Sequence, residues 1–406
     1  MRKLPGLMGL MGIMGILSIM SIMPINSIQA QSPADSAFQC FLDSIDANID
    51  ATWDNPKAKG IRFTLYGNSF FVDNEYFGDR IEGYTLPGFR LVPNLTWRLN
   101  HDISITIGAS WLHFWGAHSY PAGSTYGIMP AYSDSDNTAL HIVPLMQVKY
   151  EIPLGPTLTV GTLDPSSHDL PLPLYNPELE YAADPENGVE LEYHTNWMTA
   201  DLWVDWREFI FNKSPYQERF IAGFSGDLHL YWQDWTFYMP LHFLGRHTGG
   251  QGLAQRMPVQ NVFNAAAGLG FNRPFGENVY LDVTCRAMWF HQKGDPTIPF
   301  STGWGLYPEV HTLLWNKLLL TASYWTGHNF VPLLGQWHYS NLSSVDGNLT
   351  YDRTQVLTFR ANYRWRPWRE NFVLNLQGSI YHYLPEKRTQ YSIGLIIGFH
   401  PTLRLK

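Results

Sequence analysis

Residues 279–289 read Val279-Tyr280-Leu281-Asp282-Val283-Thr284-Cys285-Arg286-Ala287-Met288-Trp289. The odd positions are apolar and the even ones mostly polar, a period of two that an extended strand turns into one apolar and one water-facing side. The pattern recurs in Phe89, Leu91, Leu95, Trp97 and Leu99 against Arg90, Asn94, Thr96 and Arg98. It recurs again in Leu357, Phe359, Ala361, Tyr363 and Trp365 against Thr358, Arg360, Asn362, Arg364 and Arg366, and in Phe372, Leu374, Leu376 and Ile380 against Asn375, Gln377 and Ser379.

From Gly60 to His400 the chain is a succession of such segments, about sixteen in all (14 to 18), near 60–72, 86–99, 102–115, 139–152, 156–163, 187–194, 197–207, 217–231, 234–245, 259–272, 277–291, 303–314, 317–327, 353–366, 370–383 and 389–400. Every second connection is tight: Asn100–His101, Pro153–Gly155, Thr195–Asn196, around Gln233, Arg273–Gly276, around Asn316 and Pro367–Arg369. The intervening ones are mostly long, 116–138, 164–186 and 328–352 above all. Short turns on one rim, long loops on the other and an even strand number describe an all-β chain folded as a transmembrane antiparallel β-barrel. Trp97, Trp197, Trp232, Trp235, Trp315, Trp365 and Trp368 fall beside the short turns, and Trp111, Trp115, Trp206, Trp289, Trp304 and Trp325 toward the long loops. Two aromatic belts are expected where amphipathic rings meet lipid headgroups. Lipid offers no hydrogen-bond partners, so a spanning sheet must close on itself.

Composition agrees. The chain has 406 residues, 45% hydrophobic, 15% aromatic and 15% charged, too apolar for a disordered chain. After residue 30 no apolar run approaches the roughly 20 residues that a membrane-spanning helix needs. The net charge of -8 excludes nucleic acid as a partner. Arg2 and Lys3, an apolar run from Leu7 to Met23, Pro24 and the small-residue end at Ala30 have the layout of a secretory signal peptide over residues 1–30. Cys40 and Cys285 are too few for a disulfide framework. Between the cleavage site and the first strand, Phe38, Phe41, Leu42, Ile45, Ile49 and Trp53 recur at helical spacing behind a Ser36/Gln39 capping box. That predicts a short periplasmic amphipathic helix within residues 31–56, ahead of a barrel over 57–406. Phe41, Leu42, Ile45 and Ile49 form its apolar face, which would plug the lower mouth, lie on the inner leaflet or dock a protein partner.

At this level the chain resembles the porin-like barrels of the bacterial outer membrane. The resemblance covers about residues 60 to 400 and rests on architecture. It implies a Gram-negative outer membrane, a lipid environment, and passage of small polar solutes. The last strand, Tyr391, Ile393, Leu395, Ile397 and Phe399, looks like the aromatic-rich terminal strand read by the barrel assembly machinery, but Pro401 to Lys406 follow it. In the general porins the third external loop folds inward as a constriction; by analogy the loop 164–186 would do so here, carrying Asp164, Asp169, Glu178 and Glu180.

Alternation also assigns lumenal charges. Glu190, Glu192, Asp201 and Asp205 lie on the sixth and seventh strands, Arg360 and Arg364 on the fourteenth, and Arg62, Arg90 and Arg98 on the first two. Around a ring of about sixteen, acidic and basic walls would face one another and set a transverse field. The leading expectation is a diffusion channel. The alternative is an occluded barrel that serves as a structural or docking subunit, and below both stands a lipid-modifying enzyme. Barrel enzymes of that kind need a Ser or Thr with a nearby His, outward-facing near the external rim. Ser166, Ser167 and His168 beside Asp169 are adjacent in sequence only, and His141, His242, His311 and His382 lack metal-ligand spacing. The expectation is therefore a protein that is not an enzyme, without metal or cofactor. The Pro171–Tyr181 stretch is more specific than a connector needs.

Overall fold

Each alternating segment is a strand in the computed structural model, which describes residues 59–116, 141–164, 168–211, 216–250, 258–366 and 372–405. The strands are β1 (Gly60–Glu75), β2 (Tyr84–Arg98), β3 (Ile103–Phe114), β4 (His141–Glu151), β5 (Thr157–Thr162), β6 (Asn187–His194), β7 (Met198–Glu208) and β8 (Glu218–Trp232). There follow β9 (Trp235–Gly249), β10 (Gln260–Phe275), β11 (Val279–Lys293), β12 (Thr302–Leu314), β13 (Leu318–His328), β14 (Thr354–Trp365), β15 (Phe372–Tyr383) and β16 (Arg388–Phe399). The proposed leader 1–30, the segment 31–56 and its Phe41, Leu42, Ile45 and Ile49 lie outside the described residues, as do Ser166 and Ser167.

Neighbouring strands pair antiparallel throughout, and β1 closes the ring by pairing with both β2 and β16. A short piece, β17 (Thr402–Arg404), continues the wall past Pro401 and pairs with Arg62–Thr64. The residues that follow the terminal strand thus complete the barrel. Closure leaves no unpaired edge to face lipid. Among the described residues no helix is long and apolar enough to cross a membrane.

Pleating sorts the side chains. On β11, Asp282, Thr284, Met288 and Phe290 are buried toward the lumen, while Cys285 and Trp289 are exposed outward. Trp97, Trp197, Trp232 and Trp315 are exposed at the short-turn rim, and Trp115, Trp206 and Trp304 at the other. Trp325 departs from the belt expected of it. It points inward and is fully buried, because Gly305 of β12, diagonal to it across the ladder, leaves room for the indole where any Cβ would collide with it.

The lumen is occupied by two long loops. The 163–186 connection carries Leu172, Leu174, Tyr175, Leu179, Tyr181 and Ala182 into an apolar cluster with Phe330, Val331, Leu333, Leu334, Tyr339 and Leu342 of the 329–353 connection and with Phe70, Phe114 and Trp325 of the wall. The first loop contains a one-turn helix, α1 (Leu179–Ala182), and the second a 3-10 turn at Trp337–Tyr339. They bond to each other through Asn176 N–H to the Leu334 carbonyl (2.8 Å) and Gln336 N–H to the Leu172 carbonyl (2.9 Å). Asn264 of β10 grips the second loop: its amide donates to the Val331 carbonyl at 3.0 Å and accepts from Leu333 N–H at 2.7 Å. The prolines and apolar residues between Pro171 and Tyr181 therefore build a plug core.

Candidate functional site

Glu190 and Asp201 stand on the lumenal faces of β6 and β7, and the loop brings His168 between them. His168 Nδ1 lies 2.6 Å from Asp201 Oδ2 and 3.8 Å from Glu190 Oε1, and Nε2 lies 3.0 Å from Glu186 Oε2. Its ring is stacked on Trp203, centroids 3.6 Å apart and planes 8° from parallel. Trp203 in turn covers Gly223 of β8, where a Cβ would collide with the indole. Burial disfavours the charged imidazole, but the Glu186 and Asp201 carboxylates outweigh it and hold His168 well above the usual imidazole range. Asp205 pairs with Arg207, and Glu192, one step nearer the short-turn rim, lies 3.6 Å from Lys149.

The basic residues are used differently from a free wall. Arg90 donates to the Glu180 carbonyl at 2.6 Å and to that of Ala183, tying the first plug loop to β2. Arg98 pairs with Glu151. Arg62 and Arg364 are buried, and Arg360 is half-buried. Glu178 accepts from Asn74 (3.0 Å) and from the Tyr84 hydroxyl (2.6 Å), so it faces β1 and β2. Asp164 is half-buried at the loop's root, and Asp169 is exposed on the loop surface. The structure thus brings Glu190, Asp201 and His168 together. Of the remaining charges, Arg90 and Glu178 anchor the first plug loop, while Glu192, Asp205 and Arg98 pair with residues of the wall.

With both ring nitrogens engaged by carboxylates, His168 has no lone pair with which to take a proton from a hydroxyl. A different pair has that geometry. His382 and Thr389 sit directly opposite in the β15–β16 register, Nδ1 to Oγ1 2.9 Å, on the outward face beside the external hairpin 384–387. Their seven-residue separation carries no signal until the hairpin register is known. His311 also meets a threonine, Thr321 at 2.9 Å, but on the lumenal side and beside Glu309 at 3.1 Å. His141 is bound to Asp184 at the plug's edge.

Comparison with known proteins bears on what such a pair is for. No curated protein sequence matches the chain. Solved structures to which it is similar include OccAB4 of Acinetobacter baumannii (9% identity, TM-score 0.49, 86% of this chain and all of that one). Others are a BenF-like porin of Pseudomonas fluorescens (9%, 0.49, 84% and 99%) and OpdK of Pseudomonas aeruginosa with vanillate (9%, 0.49, 84% and 99%). The family described as lipid A 3'-O-deacylase-type matches residues 53–406. This is an enzyme family, and it overturns the expectation of a protein that is not an enzyme; a hydroxyl and an imidazole brought together only by strand register leave no motif in the chain. The protein is an outer-membrane β-barrel, and with its whole barrel matched it belongs to the lipid A 3'-O-deacylase-type family.

Proposed function

We propose that the protein hydrolyses an ester-linked acyl chain of lipid A at the outer leaflet, with Thr389 as nucleophile and His382 as its general base. The carrying observation is the 2.9 Å contact between Thr389 Oγ1 and His382 Nδ1 on the lipid-facing side, at the level of the external rim. The Thr389 oxygen attacks the ester carbonyl while His382 takes its proton and returns it to the departing sugar hydroxyl. Water then cleaves the acyl-threonine, releasing a fatty acid. Exposed Lys387 and Arg388 at the same hairpin supply positive charge beside the phosphates of such a lipid. The test is mass spectrometry of lipid A from cells that carry the protein in the outer membrane. Loss of one acyl chain with the intact protein, and its retention with His382→Ala or Thr389→Ala, is expected; unchanged deacylation by both variants removes the assignment.

A second reading, passage of small polar solutes, is favoured by the charged groups near the short-turn rim, Glu192 with Lys149 among them. The packed plug confines any such route to a narrow one. Bilayer conductance of the intact protein, compared with a variant lacking 171–181, decides it: ohmic steps in the intact form support a channel, and silence relieved only by the deletion supports a sealed barrel.

A further inference from the structure

We infer that His168, Glu190 and Asp201 form a binding site for a first-row divalent cation, Zn2+ or Mn2+, inside the barrel wall. One nitrogen and two carboxylate oxygens, each from a buried residue, lie within 4.8 Å of one another. A tetrahedral ion with ligands at about 2.0–2.1 Å sets them about 3.3 Å apart. The distances from His168 Nδ1, 2.6 Å to Asp201 and 3.8 Å to Glu190, bracket that value. Small rotamer adjustments therefore close the ligand set, with Nδ1 giving up its proton to the solvent as the ion enters.

The surroundings fit a metal site on separate grounds. Glu186 receives the opposite ring nitrogen at 3.0 Å, the carboxylate–histidine arrangement that orients a metal-bound imidazole and raises its basicity. Trp203 fixes the ring plane. Thr159 stands directly across from Glu190 in the β5–β6 register, 1% exposed, and its hydroxyl has no hydrogen-bond partner. The second oxygen of Asp201 is likewise buried and unpartnered. Paired positions on one face of an antiparallel ladder hold their Cβ atoms about 4.5–5.5 Å apart, so the Thr159 oxygen is within reach of the open side of the ion. Three protein ligands leave such a position open. The mixed nitrogen and oxygen set argues against Ca2+, which takes six to eight oxygens. Glu192, partly exposed and next to Asp201 in the β6–β7 ladder, marks the approach from the short-turn side.

The test uses the full chain in detergent, stripped with chelator and titrated with ZnCl2, then with Co2+ for its visible d–d absorption. One cation per chain is expected after gel filtration. Glu186→Gln should weaken binding roughly 10–100-fold, and Asp201→Asn should abolish it. His101→Ala, at an exposed turn, should leave it unchanged. Glu190→Gln serves in place of Asp201→Asn if the latter does not fold as judged by heat-modifiable gel mobility. Absence of stoichiometric binding by the intact protein overturns the assignment, and so does binding that persists in Glu190→Gln and Asp201→Asn alike. Because the readout is occupancy and spectrum, it stands apart from the hydrolase reading.

Discussion

Trp203 lies flat between His168 and the barrel wall, its ring 3.6 Å from the imidazole on one side and packed on Gly223 on the other. The wall glycine, the indole and the histidine form a stack that sets where the 163–186 loop enters the lumen.

Gly223→Val removes the space for that indole. Overpacking of this kind costs about 1–3 kcal/mol. The expected outcome is a lower unfolding temperature in detergent together with new protease sensitivity in 163–186; an unchanged cleavage pattern would show that the stack does not anchor the loop.

Asn264→Ala strands two buried backbone groups, the Val331 carbonyl and the Leu333 N–H. Each unsatisfied group costs about 1–3 kcal/mol. Hydrogen exchange at Leu333 should accelerate strongly while exchange in β1 and β2 does not, since the damage is confined to the second plug loop.

His338 sits in that loop, stacked on Tyr381 at 3.7 Å and 2.6 Å from the Tyr383 hydroxyl. Burial, helped by the Arg80 charge, pushes its pKa down to about 3. The folded ring is neutral where the unfolded one takes a proton, so its stability contribution is complete above about pH 6.5 and is lost progressively as pH falls toward 3. At pH 5 the loss is about 2 kcal/mol. Proteolysis of 329–353 should rise between pH 6.5 and 5 in the intact protein, and the rise should flatten in His338→Phe; an equal acid response in both would assign it to other groups.

Thr389→Ser keeps the hydroxyl within reach of His382, whereas Thr389→Val keeps only the shape. Deacylation should persist in the first and fall by about 10⁶-fold in the second, the order of loss when a hydrolase is deprived of its nucleophile. Equal rates in both would place the nucleophile elsewhere.

How much of this was legible differs between wall and interior. Val279 to Trp289 announces β11 almost to its ends, because a strand with lipid on one side and a polar lumen on the other must alternate at every step. The inward placement of Glu190, Asp201 and Arg90 follows from the same parity. Pro171–Tyr181 is unusual for a connector, but the sequence does not carry its purpose. Its partners, Phe330 to Leu334, lie some 150 residues further along the chain. That apolar run inside a long loop was the available sign of a second plug segment. His382 and Thr389 are not legible as a pair, because such residues are common individually and only the β15–β16 register sets these two side by side.

The sequence by itself determined the barrel: strand number, the two rims, the aromatic belts and the lumenal parity are all local consequences of a chain bounded by lipid outside and no free edge. Tertiary structure alone decided that the lumen is filled, that Arg90 holds a loop instead of facing an acidic wall, and that His168 meets Glu190 and Asp201. The reason is physical. Alternation is enforced residue by residue by the membrane, whereas loop docking depends on pairwise contacts between distant segments, and no local periodicity records those contacts.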